Sequence, residues 1–135
     1  MDKSKPGNIA PRIDLMAPDF KGYTFFKRAF RKTSLKKYKG KWLVLFFYPM
    51  DFTFVCPTEI KAFNEQVPKF KEINCEVLGC SVDSKFVHRQ WSKTPLTEGG
   101  VGPLAFPLLA DLSKEICSAY GCLVTDGPDK GAAFR

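Results

Sequence analysis

The chain is poor in histidine, with His88 alone in 135 residues. No apolar stretch reaches the roughly 18 residues that a membrane span needs. There is no internal repeat and no low-complexity tract. The N-terminus, Met1-Asp2-Lys3-Ser4-Lys5-Pro6, is polar and lacks the apolar centre of a secretory signal. Cys-x-x-Cys is also absent, so the usual local dithiol of disulfide exchange cannot form. These absences argue against a membrane protein, a solenoid and a secreted disulfide scaffold. The simplest expectation is a cytosolic protein with reduced thiols.

The rest of the composition suits one compact domain with a single core. Apolar residues make up 44% of the chain and aromatics 14%, with 13 phenylalanines for a dense interior. The net charge of +7 is uneven: residues 1–41 carry 12 basic and 3 acidic groups, while residues 42–135 carry 9 and 11. A basic arm can bind nucleic acid or anionic lipid. The favoured alternative is a solvated face, because Lys27, Arg28, Arg31, Lys32, Lys36, Lys37, Lys39 and Lys41 are interleaved with apolar residues. No nucleic-acid or membrane partner is therefore expected.

Residues 1–18, punctuated by Pro6, Pro11 and Pro18, read as an extended lead-in. Residues 19–41 predict a short hairpin, then a turn over Ser34–Tyr38 ending at Gly40. Trp42–Tyr48 is continuously apolar, the pattern of a central strand buried on both faces. Pro49–Val55 follows as a loop. A helix is predicted from Cys56, with Pro57 in its first turn and Glu59 at capping-box spacing. Ile60, Phe63, Val67 and Phe70 form its apolar stripe, and Pro68 should kink or break it.

Glu76–Val82 is the second strand. Ser84 is a candidate cap for a helix through Trp91, and Thr94–Pro103 is a loop rich in glycine and proline. Phe106–Ala110 is a third strand, Leu112–Tyr120 a helix stopped by Gly121, and Gly131–Arg135 the start of another strand. Strands alternating with helices imply an α/β sheet with right-handed crossovers. Ligands in such sheets bind beyond the carboxyl ends of central strands.

Cys56 lies just past such an end. The nucleophile is the thiolate, and a thiol of pKa about 8.5 is only a few per cent ionised at pH 7. A helix N-terminus favours the thiolate through partial positive charge and unpaired N–H groups. Arg135 is the only arginine after Arg89, and it is expected to fold back beside Cys56. The ordinary alternative is a buried structural cysteine. Cys–His hydrolysis is a further chemistry, but nothing ties His88 to Cys56, and His88 reads as a surface or interface residue of its helix.

The run Phe47-Tyr48-Pro49-Met50-Asp51-Phe52-Thr53-Phe54-Val55-Cys56-Pro57-Thr58-Glu59 closely resembles the active-site signature of typical two-cysteine peroxiredoxins. The resemblance continues through Asn74-Cys75-Glu76-Val77, Ser81-Val82-Asp83-Ser84, Trp91 with Thr94-Pro95, Gly99-Gly100-Val101-Gly102-Pro103 and Pro107-Leu108-Leu109-Ala110-Asp111. It implies a thioredoxin-like fold, a mixed sheet flanked by helices, in a single domain over residues 1–135. It implies a thiol-dependent peroxidase for hydrogen peroxide and organic hydroperoxides, with a thioredoxin-type reductant and no cofactor.

By the same resemblance Cys56 is the peroxidatic nucleophile and becomes a sulfenic acid. Thr53 hydrogen-bonds the peroxide, Pro49 shields the pocket, Arg135 holds the thiolate and Glu59 fixes the arginine. The Gly-Gly-x-Gly loop slows unfolding of the Cys56 turn and favours over-oxidation. The family continues past the position of Arg135 for about another third of its length. That part brings further strands, a last helix, the resolving cysteine and the edge used for homodimers and decamers. The expectation is a truncated chain without the resolving cysteine in its family position.

Cys75 with Cys80, and Cys117 with Cys122, suggest a zinc site by their spacing. On a strand or a helix, however, residues five apart do not share a face. No metal is expected, and core packing is. A peroxide sensor or holdase without full turnover is the alternative function.

Overall fold

The structure, a computed structural model, describes residues 11–53 and 56–135, and of Cys56 the backbone alone. Of the lead-in, residues 11–18 form neither strand nor helix, and Pro6 lies outside the described residues. A hairpin follows, β1 (Lys21–Phe26) and β2 (Ala29–Ser34), closed by the two-residue turn Lys27-Arg28. Both turn residues have positive φ, 49° and 63°. Asn-Gly is the favoured pair for such a turn, and each ordinary side chain held there costs about 1 kcal/mol. A 3-10 turn at Leu35–Tyr38 and Gly40, with φ of 84°, lead into β3 (Trp42–Phe47).

Helix α1 (Cys56–Glu72) carries the chain to β4 (Cys75–Ser81), parallel to β3. Helix α2 (Lys85–Lys93) leads to β5 (Leu108–Ala110), parallel to β4. The five strands form one mixed sheet in the order β2-β1-β5-β4-β3. Helix α3 (Glu115–Ala119) closes the series.

The sheet separates two cores, and strand alternation explains why β3 is apolar throughout. Val44, Phe46 and Tyr48 join Ile60, Phe63, Val67 and Phe70 of α1 and Trp91 of α2 on one face. Leu43, Leu45 and Phe47 join Ile116 and Cys117 of α3, with Phe20 and Tyr120, on the other. The sequence expectation for β3 holds for its faces and fails for its position. Among the described residues β3 is an edge strand, and Trp42 is 75% exposed. A continuous apolar run reports covered faces and carries no signal about a neighbour across the edge.

The expected break at Pro68 does not occur, because α1 continues to Glu72. Pro68 faces solvent, while Val67 is buried and Phe70 packs on the core. Burying two such side chains contributes about 3 kcal/mol or more, which offsets the roughly 3 kcal/mol cost of the proline.

Ser84 caps α2 as expected, its hydroxyl accepting from the Val87 N–H at 3.2 Å. Helix α3 is shorter than predicted, and Asp111 caps it from outside. The fully buried carboxylate accepts from the Ile116 N–H at 3.1 Å and the Cys117 N–H at 2.7 Å. Gly121, with φ of 70°, ends α3 as expected. The Gly121 and Cys122 N–H groups return to the Ser118 and Cys117 carbonyls, a Schellman closure. The terminal segment forms one bridge, Leu123 to Ala133, instead of the predicted strand.

Asp111→Ala leaves two buried N–H groups without an acceptor, at about 1–3 kcal/mol each. A loss of about 2 kcal/mol or more is expected in urea unfolding. A loss under about 0.5 kcal/mol would show that the cap carries no weight.

Candidate active site

Strand β3 delivers the chain into Tyr48, which is fully buried and stacks on Trp91 with ring centroids 5.7 Å apart. The loop beyond turns sharply. Pro49 is half-buried, Asp51 is buried, and Met50 and Phe52 project outward. Phe52 has φ of 60°, a region where phenylalanine is uncommon. The Thr53 hydroxyl donates to the Met50 carbonyl at 3.1 Å and closes the turn.

Asp51 is the anchor. Its N–H donates to the Asp83 carboxylate at 2.8 Å, which also accepts from the Ser81 hydroxyl at 2.6 Å. Its own carboxylate accepts from the Tyr48 hydroxyl at 2.6 Å and meets His88 Nδ1 at 2.7 Å. His88 Nε2 lies 3.0 Å from the Leu109 carbonyl. A carbonyl only accepts, so Nε2 donates. One further proton sits between Nδ1 and the carboxylate. Both His88 and Asp51 side chains are fully shielded from solvent.

The sequence reading of His88 as a surface residue is therefore corrected. The available signal was its position three residues before Trp91, on the buried face of α2. Its partner Asp51 is 37 residues away, so no local pattern could have joined them.

Helix α1 begins at Cys56, as the Cys-Pro junction predicts. Phe54, Val55 and the Cys56 side chain lie outside the described residues. Arg135 does return to this end of α1. Its Nε donates to Glu59 Oε1 at 2.8 Å, and the capping-box expectation for Glu59 falls on a helix start that lies outside the described residues. This pair is 44% and 38% exposed. An open pair of that kind contributes at most about 1 kcal/mol to stability, so its effect is positional.

A cleft of about 430 Å³ opens beside Cys56, lined by Phe52, Thr53, Pro57, Thr58, Leu96 and Gly99 among others. The Gly-rich loop forms its far wall. A Cβ on Gly100 would fall 1.9 Å from the Thr94 carbonyl oxygen, so this loop can close against α2 only with glycine there. The Trp91 indole donates to the Gly99 carbonyl at 3.0 Å and ties the loop to the buried stack.

The other thiols occupy different surroundings. Cys80 and Cys117 are fully buried in the cluster on the opposite face of the sheet from α1. The hydrogen bond its thiol makes to Cys117, with burial, holds Cys80 well above its usual range. Burial raises that of Cys122. Spacing along the chain hid this arrangement: the cysteines meet across the predicted pairs, Cys80 with Cys117.

Among the described residues two groups could reach a metal, Cys80-Asp111-Cys117 and Asp51-Asp83-His88, each with donor atoms within 4.8 Å of one another. Protein hydrogen bonds already engage the acids of both groups. Among the described residues no buried side-chain oxygen or nitrogen lacks a partner.

Residues 13–135 match the family model described as the AhpC/TSA family. The chain belongs to that family. It is 53% identical over 124 residues to Peroxiredoxin-2 of Macaca fascicularis, covering 92% of this chain and 61% of the relative. It is 53% identical over 115 residues to the mitochondrial thioredoxin-dependent peroxide reductase of Drosophila melanogaster, covering 85% and 49%. The reduced 2-Cys peroxiredoxin of Plasmodium vivax superposes with a TM-score of 0.82 at 43% identity, covering 88% and 61%. The thioredoxin-like peroxiredoxin fold implied by the sequence is thus present. The chain spans about three-fifths of the length of the first of these relatives. No helix among the described residues is long and apolar enough to cross a membrane.

The Asp51 anchor makes the stability of this family member depend on pH. Burial pushes the Asp51 carboxyl above its ordinary range, while the His88 hydrogen bond pulls it back. The folded chain thus keeps a proton that the unfolded chain releases. This contribution is full below about pH 4 and is lost as pH rises through the raised folded value. Asp51→Asn should flatten that part of the stability curve, measured by urea unfolding across the acid range. Parallel curves for the two proteins would refute it.

Proposed function

We propose that this chain carries the site of a thiol-dependent peroxidase, with Cys56 as the nucleophile. The Cys56 thiolate attacks one oxygen of hydrogen peroxide or an organic hydroperoxide. The S–O bond forms as the O–O bond breaks. The departing oxygen takes a proton and leaves as water or an alcohol, and Cys56 is left as a sulfenic acid. The observation that carries the reading is the return of Arg135 to Glu59, one turn into the helix that starts at Cys56.

Magnitudes give Arg135 its role. A helix N-terminus contributes up to about 2 kcal/mol, or about 1.5 pK units. That brings an ordinary thiol only near half-ionisation at pH 7. A second cation completes the thiolate and faces the charge on the departing oxygen. Thr53 orients the peroxide in the cleft, Pro49 covers it, and Glu59 holds the arginine in place. In this reading one domain works in a reducing compartment such as the cytoplasm, with a thioredoxin-type thiol regenerating Cys56. Homodimers and decamers are the assemblies that the resemblance implies for longer family members.

Stoichiometry tests the proposal. Peroxide loss should continue through many turnovers with a thioredoxin-type reductant and stop in Cys56→Ser. One equivalent consumed without turnover would favour the sensor or holdase reading. No consumption would defeat both. Arg135→Ala should return the Cys56 thiol to its ordinary titration range and slow peroxide reduction about tenfold or more. An unchanged thiol titration, followed by thiolate absorbance, would remove Arg135 from the mechanism.

A further inference from the structure

A second cavity, of about 840 Å³, lies away from Cys56, between the hairpin tip, α2 and the loop after it. Its charged lining is Lys27 and Arg28 from the turn and Arg89 and Lys93 from α2, with no acidic residue. All four are exposed. Among the described residues none forms an ion pair with a carboxylate. Aromatic faces hold two of them instead. Lys27 Nζ sits 5.2 Å from the Phe26 ring centroid, and Arg89 Cζ sits 5.3 Å from that of Phe30. Phe26 and Leu104 supply an apolar wall.

The turn gives an independent indication. Lys27 and Arg28 both occupy the left-handed region, where Asn-Gly would be relaxed. The chain accepts strain at two successive residues and places two cations at the cavity mouth. Strain of this kind is a feature of functional sites. Arg89 and Lys93 stand one helical turn apart and face the same space. Four cations kept within one volume repel each other, and that repulsion is relieved by a multiply charged anion. The volume is that of a small-molecule site.

We propose that this cavity binds a small organic polyphosphate, with its phosphates between the hairpin turn and α2 and its apolar body against Phe26 and Leu104. Arginine provides forked donors to phosphate oxygens, and lysine provides point charge. The confined volume and the apolar wall favour a compact ligand over an extended nucleic-acid strand.

The test uses the full chain carrying Cys56→Ser, which removes thiol chemistry from the readout. Inorganic triphosphate, a nucleoside triphosphate and the parent nucleoside are titrated by calorimetry at low salt. Saturable one-site binding is expected for both triphosphates and none for the nucleoside. Tighter binding of the nucleoside triphosphate would place its base on the apolar wall, and equal binding would assign the site to phosphate alone. The double variant Lys27→Asn/Arg28→Gly should weaken binding about tenfold or more. The same variant relaxes the turn and should raise the melting temperature, so lost binding cannot be misfolding. Lys93→Ala should weaken binding as well, while Lys36→Ala/Lys37→Ala, remote from the cavity, should not. Equal losses in all variants, absence of saturation, or tighter binding of a single-stranded oligonucleotide would overturn the proposal.

Discussion

The contact between Asp51 and His88 is the constraint on which the site depends. The fold must stop a buried strand, reverse the chain and start a helix with a cysteine at its first position. Backbone hydrogen bonds do not hold such a turn alone. Asp51 holds it from beneath, accepting from Tyr48, donating its N–H to Asp83 and sharing a proton with His88. His88 is itself fixed to the Leu109 carbonyl of β5. The loop between β3 and α1 is thereby tied to two other elements of the sheet. The Tyr48, His88 and Leu109 contacts lie in a low-dielectric interior, where a lost partner leaves a costly orphan.

This buried network explains how an exposed loop keeps a strained residue. Phe52, with its positive φ, lies next to Asp51 and packs its ring 6.2 Å from that of Trp91. Trp91 stacks in turn on Tyr48 and bonds the glycine-rich loop. One tryptophan thus links the end of β3, the turn before Cys56 and the far wall of the cleft. These links are packed rings and one indole hydrogen bond, in contrast to the open Arg135–Glu59 pair.

Much of this was legible in the sequence wherever the signal was local. The Cys-Pro junction, the stripe from Ile60 to Phe70, the Ser84 cap and the Gly121 stop each occupy one turn or one face, and each is found. The long motif around Cys56 gave the family. What stayed hidden depends on distance in the chain. His88 finds Asp51, Cys80 finds Cys117, and Asp111 caps a helix from beyond its predicted start. The apolar run of β3 reported two covered faces and was silent about its open edge. Pro68 follows a local rule that the burial of Val67 and Phe70 outweighs.

The same sheet sorts the cysteines by chemistry. Helix α1 starts at Cys56 on one face of the sheet, the end to which Arg135 returns. Cys80 and Cys117 lie on the other face, among Leu78, Leu109 and Ile116. There the hydrogen bond and burial hold Cys80 as a thiol. A thiol above its ordinary range presents even less than the few per cent of thiolate available to a free cysteine at pH 7. Burial behind the sheet also shields Cys80 and Cys117 from solvent. The strand order thus puts the helix that begins at the proposed nucleophile on one face and the Cys80–Cys117 cluster on the other.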